Sequence, residues 1–195
     1  MLRAAYGLGF GYLVFCGLSL VRQAEPPPRV ALTHRPAAVF PSDSAAGWFA
    51  AVRPRCNAVE VELALRTTPP PRSAGEEGES YAAGCYALAG KTDSARQTIA
   101  ALPSGWRPRA AGIVFEIVHP VADAGDDRSA GPMMRLVLEF WPQNFQALYH
   151  AGMSEYAVDD YARARQHLQK FLALYTADDG WTRNAREVLG RPGMR

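Results

Sequence analysis

Apolar residues in the C-terminal part of the chain recur three and four positions apart, which is the spacing of one face of an α-helix. The first such stripe comprises Phe145, Leu148, Tyr149, Gly152, Met153 and Tyr156. The polar pair Asp159-Asp160 separates it from a second stripe. This second stripe comprises Tyr161, Ala164, Leu168, Phe171, Leu172 and Tyr175. The pattern predicts a helical hairpin over residues 145–176.

Four alanines extend this pattern along the chain, because each is followed by apolar residues about one and two helical turns later. They are Ala58, Ala95, Ala130 and Ala164, at intervals of 37, 35 and 34 residues. A period near 34 residues is typical of stacked helical hairpins. From about residue 42 onward, no sustained alternation of apolar and polar residues indicates strands. The sequence therefore predicts an all-α fold, a superhelical stack of antiparallel helical hairpins (an α-solenoid) over residues 42–190.

The last part of that range predicts a helix of its own. Trp181, Ala185, Val188 and Leu189 lie at helical spacing within residues 178–189. A stack of hairpins needs a terminal helix to cover its last apolar face. We therefore expect this helix to cap the domain, and residues 191–195 to form a short tail.

The hairpin at 144–178 resembles the tetratricopeptide repeat (TPR) family, whose unit is a 34-residue pair of antiparallel helices. Its matching positions are Leu148, Gly152, Tyr161, Ala164, Leu168 and Phe171, whereas Thr176 stands where the family often has proline. Residues 75–109 match at Ala83, Tyr86, Gly90, Ala95, Ile99 and Leu102. Weaker matches cover 110–143 and 39–74. In the last of these, Ala58 takes the position of the packing alanine and Pro54 ends the first helix.

This resemblance implies a scaffold that binds another protein in a groove formed by the first helices of successive repeats. The candidate groove residues in this chain are Phe115, His119, Tyr149, Met153 and Tyr156. Such a surface suits an apolar peptide or helix. The family's clamp of Lys, Asn and Arg is missing at these positions, so an acidic C-terminal tail is not the expected partner. The alternative is that the same aromatic residues pack between hairpins.

An apolar segment precedes the predicted repeats. Residues 4–21 are 18 residues without a charge, between Arg3 and Arg22. A helix of that length roughly spans the hydrocarbon core of a bilayer. Residues 1–24 fit an uncleaved signal anchor, a cleaved signal peptide or a buried helix of a cytosolic protein. The anchor is our leading prediction, with the repeat domain on the periplasmic or extracytoplasmic side; secretion after signal cleavage is the alternative.

Residues 25–41 predict a linker between this segment and the repeats. Prolines stand at positions 26, 27, 28, 36 and 41, with little apolar periodicity between them. Consecutive prolines favour an extended polyproline II conformation. The linker would hold the repeat domain away from a membrane; the alternative is a disordered tail.

The remaining chemistry argues against catalysis. A net charge of +2 gives no electrostatic footprint for nucleic acid. No HExxH, GxSxG or phosphate-binding glycine loop is present in the sequence. We therefore predict no enzyme activity, no cofactor and no metal site, although His150 and His167 could approach each other across the last hairpin. Cys56 and Cys85 lie in adjacent predicted hairpins, either as two buried thiols or, in an exported domain, as a disulfide.

Two functions fit these features. The leading one is a membrane-anchored or exported TPR-like adaptor that binds protein partners. The alternative is a structural accessory subunit of a multi-protein membrane complex. In that case the N-terminal helix packs on other membrane helices through the small residues Gly7 and Gly11.

Overall fold

A computed structural model describes residues 43–194 of this protein. Within that range lie nine α-helices and no strand, so the predicted all-α class is confirmed. The predicted anchor at 1–24 and the linker at 25–41 lie outside the described residues. Among residues 43–194, no helix has both the length and the apolar character needed to cross a membrane.

The helices follow one another with short connections. They are α1 (Ala45–Val52), α2 (Val61–Thr67), α3 (Gly75–Leu88), α4 (Thr92–Ala101), α5 (Arg107–Asp123), α6 (Asp127–Phe140), α7 (Phe145–Ala157), α8 (Tyr161–Leu174) and α9 (Gly180–Gly190). Two 3-10 turns, Arg53–Arg55 and Arg72–Ala74, lie before α2 and α3. The hairpin predicted over 145–176 corresponds to α7 and α8, with its turn at Asp159-Asp160 as expected.

Short polar side chains start five of these helices. Ser44, Asp126, Asn144, Asp160 and Asp179 precede α1, α6, α7, α8 and α9, and each accepts a hydrogen bond from a backbone N–H of the first turn. These N–H groups have no partner within the helix, so a side-chain acceptor stabilises the helix end. The polar residues between the apolar stripes therefore fix where the helices begin.

Helices pack mainly on their neighbours in the chain. From α3 to α8 each helix contacts the next one, and α3 also contacts α5, while α5 contacts α7. The larger apolar cluster runs from α1 to α6 and reaches Ala147 and Ala151 of α7. A second cluster, around Leu168 and Phe171, joins α7, α8 and α9. The segment predicted as a terminal helix is thus α9, packed on α7 and α8.

Three of the four alanines in the periodic series are buried packing residues, as predicted. Ala95, Ala130 and Ala164 are fully buried. Ala58 is exposed, in a turn that precedes α2, so its predicted role as a packing residue is wrong. The Asn57 side chain accepts hydrogen bonds from the backbone N–H groups of residues 59 and 60 and thereby closes this turn. The buried face of α2 is formed instead by Val61 and Ala64.

The crossing of α7 and α8 is close at Gly152. A Cβ atom added there would lie 2.7 Å from the Cγ of Leu168 and 3.3 Å from the carbonyl oxygen of Ala164. Any larger residue would therefore push the two helices apart. The two small residues Gly152 and Ala164 thus lie at a close approach of the two helices.

Cys56 and Cys85 form a disulfide, with their Cα atoms 4.9 Å apart. Of the two alternatives left open by the sequence, the pair of buried thiols is therefore wrong. The bond joins the turn before α2 to the fully buried face of α3, across 29 residues of chain. A cross-link of that span stabilises a fold by about 3–4 kcal/mol in the chain-entropy model.

Candidate functional site

Two residues of the predicted groove, Phe115 and His119, lie on α5, and they differ in their exposure to solvent. Phe115 is only 3% exposed, so a partner could not reach its ring, and that part of the predicted groove is wrong. The ring lies beneath His119, with the two ring centres 4.7 Å apart. Phe115 therefore supports the imidazole from the core, and His119 is the residue that reaches toward the surface.

The three groove residues on α7 contact α9. The ring of Tyr149 stacks on Trp181 at 4.9 Å, and the Asn184 side-chain amide donates a hydrogen bond to its hydroxyl oxygen. The same amide lies 3.9 Å from the sulfur of Met153. Arg191 donates to the hydroxyl oxygen of Tyr156. These contacts agree with the alternative of packing between helices, and partner binding by these half-buried side chains stays a prediction.

A second apolar surface lies along α5, and we call it the α5 surface. It consists of two clefts that meet at Ile113 and Glu116. One cleft, of about 250 Å³, is lined by Phe49, Arg53, Tyr81, Ile113, Glu116, Ile117 and Pro120. The other, of about 400 Å³, is lined by Pro108, Arg109, Gly112, Ile113, Glu116 and Trp141. The helical periodicity of the sequence did not predict this surface, although a tryptophan directly before Pro142 was a signal for it.

Two histidines and an aspartate converge where α5 meets α7. His119 and Asp123 are one helical turn apart on α5, and His150 lies on α7. The Nε2 atoms of the two histidines are 3.0 Å apart. The Asp123 Oδ1 atom lies 3.5 Å from the first and 3.7 Å from the second. These three groups are the set among residues 43–194 with the geometry to hold a metal ion.

Burial disfavours the charged form of His150. It lowers the pKa of His150 to about 4, and the neighbouring His119 adds to the effect, while the Asp123 carboxylate opposes it. The rings of Tyr149 and Trp181 lie edge-on to His150 at 5.4 and 5.6 Å. The neutral form of the His150 imidazole is therefore favoured at physiological pH.

The predicted approach of His150 to His167 is wrong, because each has a different partner. His167 Nδ1 lies 2.6 Å from the Oε2 atom of Glu155. Glu155 is 1% exposed, and its other oxygen lies 3.5 Å from Arg135 of α6. A buried carboxylate needs such partners, since desolvation of an unpaired charge is costly. This network ties α6, α7 and α8 together and borders a cleft of about 290 Å³.

No protein-family model, no curated protein and no solved structure matches this chain. The resemblance to tetratricopeptide repeats is neither supported nor contradicted by these comparisons. Function is therefore inferred from the geometry of residues 43–194 and from the sequence pattern.

Proposed function

We propose that this protein is a membrane-anchored or exported scaffold of TPR-like helical hairpins that binds another protein. The observation that carries the proposal is the α5 surface, an apolar region at which two clefts meet on one helix. Its occupant would be an apolar peptide or an amphipathic helix of the partner, which is the class of ligand that apolar grooves between helices accept.

The order of helix contacts supports the stacked arrangement. The pairs α3–α4, α5–α6 and α7–α8 follow one another in the chain, and the first helices of successive pairs contact each other. This order is what a superhelical stack of hairpins requires. The Gly152 crossing within the last pair is consistent with it, because small residues let two helices approach closely.

The composition of the α5 surface suits protein recognition. Trp141 is 40% exposed, and tryptophan is among the residues that most often carry binding energy at interfaces. The charged residues Arg109 and Glu116 line the same cleft as Trp141. Protein interfaces commonly combine aromatic anchors with polar groups. The surface thus offers both an anchor and groups that would orient a bound helix.

The disulfide supports export. Structural disulfides persist in oxidising compartments and are rare in the cytosol. The Cys56–Cys85 bond therefore favours a periplasmic, extracytoplasmic or secreted location for the helical domain. Anchoring through residues 4–21 is the part of this proposal that rests on sequence alone.

Photo-crosslinking and co-purification from the native membrane test the proposal. Trp141→Asp introduces a charge in one of the two apolar clefts, and Leu174→Asp introduces the same charge at an exposed apolar position on α8. We expect the full-length wild type and the Leu174 variant to recover the same partner. The Trp141 variant should recover it at least about tenfold less well, since aromatic anchors of interfaces often contribute about 2 kcal/mol or more.

Equal recovery by all three proteins would overturn the assignment of the α5 surface. A different result would favour the alternative of an accessory subunit. In that case the partners would co-purify in fixed stoichiometry with the wild type and with the Trp141 variant, and they would be lost only when residues 1–24 are replaced. Melting curves of each variant show whether the domain remains folded.

A further inference from the structure

We propose that His119, Asp123 and His150 form a binding site for a divalent transition-metal ion, with Zn²⁺ as the ion that best suits these donors. The site joins α5 to α7 and is independent of the α5 surface and of any bound partner protein. Nothing in the sequence pattern predicted it, because its donors come from two helices and only two of them share a helix face.

The distances among the three donor atoms fit one ion. They are 3.0, 3.5 and 3.7 Å, for the two imidazole nitrogens and for each nitrogen to the carboxylate oxygen. The point equidistant from three atoms at these separations lies about 2.0 Å from each. Zn–N and Zn–O bonds measure about 2.0–2.2 Å. An ion could therefore bind all three donors with little movement of either helix.

Packing against aromatic neighbours restricts the two imidazole rings. His119 stacks on the buried Phe115, and His150 is flanked by Tyr149 and Trp181. Ligands whose rotamers are fixed by their surroundings lose little entropy on binding. The two Nε2 atoms are consequently held 3.0 Å apart before any ion arrives. A direct N–H···N hydrogen bond between them also fits a distance of 3.0 Å, and the experiment below distinguishes the two.

The charges and donor types favour zinc over other biological cations. Two imidazoles and one carboxylate suit Zn²⁺, whereas Ca²⁺ and Mg²⁺ prefer a shell composed of oxygen. The Asp123 carboxylate supplies one compensating negative charge.

The site opens to solvent on the side of Asp123, whose side chain is 57% exposed. Three protein ligands leave a fourth tetrahedral position for water or for a donor from another molecule. Because the ligands come from the first helices of two successive pairs, a bound ion would also brace α5 against α7. We therefore expect the metal to stabilise the fold as well as to present an open coordination position.

Zinc titration of the full-length protein tests this inference. The protein is purified in detergent, freed of metal with a chelator, and titrated with Zn²⁺ by calorimetry. We expect one Zn²⁺ per chain and a melting midpoint that rises with Zn²⁺ concentration. Titration with Co²⁺ should give the visible absorption of a tetrahedral site with nitrogen and oxygen ligands.

Two variants remove ligands with little risk to folding. Asp123→Ala changes an exposed side chain, and His150→Gln keeps most of the volume of a buried one. Losing an outer-shell partner of a metal costs about 10–100-fold in affinity, and losing a ligand should cost at least that. The double variant Cys16→Ser/His34→Gln is the matched control, because it removes donors outside the described residues and leaves the cluster intact.

The proposal predicts that the control binds Zn²⁺ like the wild type and that both ligand variants bind it at least about tenfold more weakly. It is overturned if the wild type takes up no Zn²⁺ at micromolar concentration. It is also overturned if Asp123→Ala and His150→Gln bind Zn²⁺ as the wild type does, or if only the control variant loses binding. Circular dichroism of each variant verifies that folding is not the cause.

Discussion

The two ends of the helical domain are joined to its middle by different chemistry. At the N-terminal end, the Cys56–Cys85 disulfide links the turn before α2 to α3. At the C-terminal end, α9 is held by stacked aromatic rings and by hydrogen bonds from its side chains to α7. One end therefore depends on the redox state of its surroundings, and the other depends on ring packing and hydrogen bonds.

The amount of apolar surface available at each end explains this difference. Helix α2 has seven residues and buries only Val61 and Ala64, while Val59 before it and Leu63 within it are exposed. So short a helix gains little from burial, and a covalent bond compensates. At the other end, a set of large rings packs closely. They are Phe145, Tyr149, Phe171, Tyr175 and Trp181.

The largest expected effect comes from removing the centre of the aromatic end. Phe171 is fully buried, with the rings of Tyr149, Tyr175 and Trp181 within 6.5 Å of its own. We expect Phe171→Ala to lower the free energy of unfolding by about 3–5 kcal/mol, because a cavity remains where the ring was. Urea denaturation followed by circular dichroism measures this change.

The control for that variant lies on the same helix. Leu174 is exposed, so Leu174→Ala should change the free energy of unfolding by less than about 0.5 kcal/mol. A loss below about 1 kcal/mol for Phe171→Ala would show that the rings do not form the packed centre of this end, since a filled core position costs more than that when truncated.

Reduction of the disulfide should have the next largest effect, confined to the other end. We expect the Cys56→Ala/Cys85→Ala variant to lose roughly 2–4 kcal/mol of stability and to become insensitive to reducing agents. Hydrogen exchange should show faster exchange in α2 but not in α9, because a short helix that buries only Val61 and Ala64 opens first. Cys16→Ala is the control, since it keeps the cross-link. Equal acceleration in α9 would mean that the two ends are not independent.

The same contrast explains which parts of the fold the sequence predicted. The C-terminal hairpin has long apolar stripes with polar breaks, and its helices begin and end close to the predicted positions. The N-terminal pair has short helices and a turn closed by Asn57, so the alanine spacing misassigned Ala58. Periodicity predicts a helix well when several turns repeat it, and poorly when only two turns are present.

The sequence predicted less of the candidate site than of the fold. The contact between His119 and His150 depends on how α5 and α7 are placed relative to each other. The two histidines are 31 residues apart in the sequence. Helical spacing could indicate only that His119 and Asp123 share a face. The burial of Phe115 and the contacts of α9 with Tyr149 likewise follow from packing between helices, which a single sequence pattern does not encode.

The smallest expected effect concerns the cap that starts α9, and it depends on pH. The Asp179 carboxylate accepts hydrogen bonds from the Tyr175 hydroxyl and from the backbone N–H groups of Thr182 and Trp181, and these lower its pKa below 3.8. A carboxyl with a lowered pKa in the folded state contributes stability above its unfolded pKa, and this stability is lost as the pH falls through the folded pKa. We therefore expect Asp179→Ala to melt at a lower temperature than the wild type at pH 7, with a difference that narrows below about pH 4.

Asp178→Ala is the control, because the carboxylate of Asp178 is exposed and forms only a long ion pair, at 3.8 Å, with Arg186. Melting curves of the three proteins from pH 7 to pH 3 measure both differences. A difference for Asp179→Ala that stays constant over this range would show that the charge of the carboxylate does not hold α9 in place, and would leave the stacked rings as the source of stability at that end.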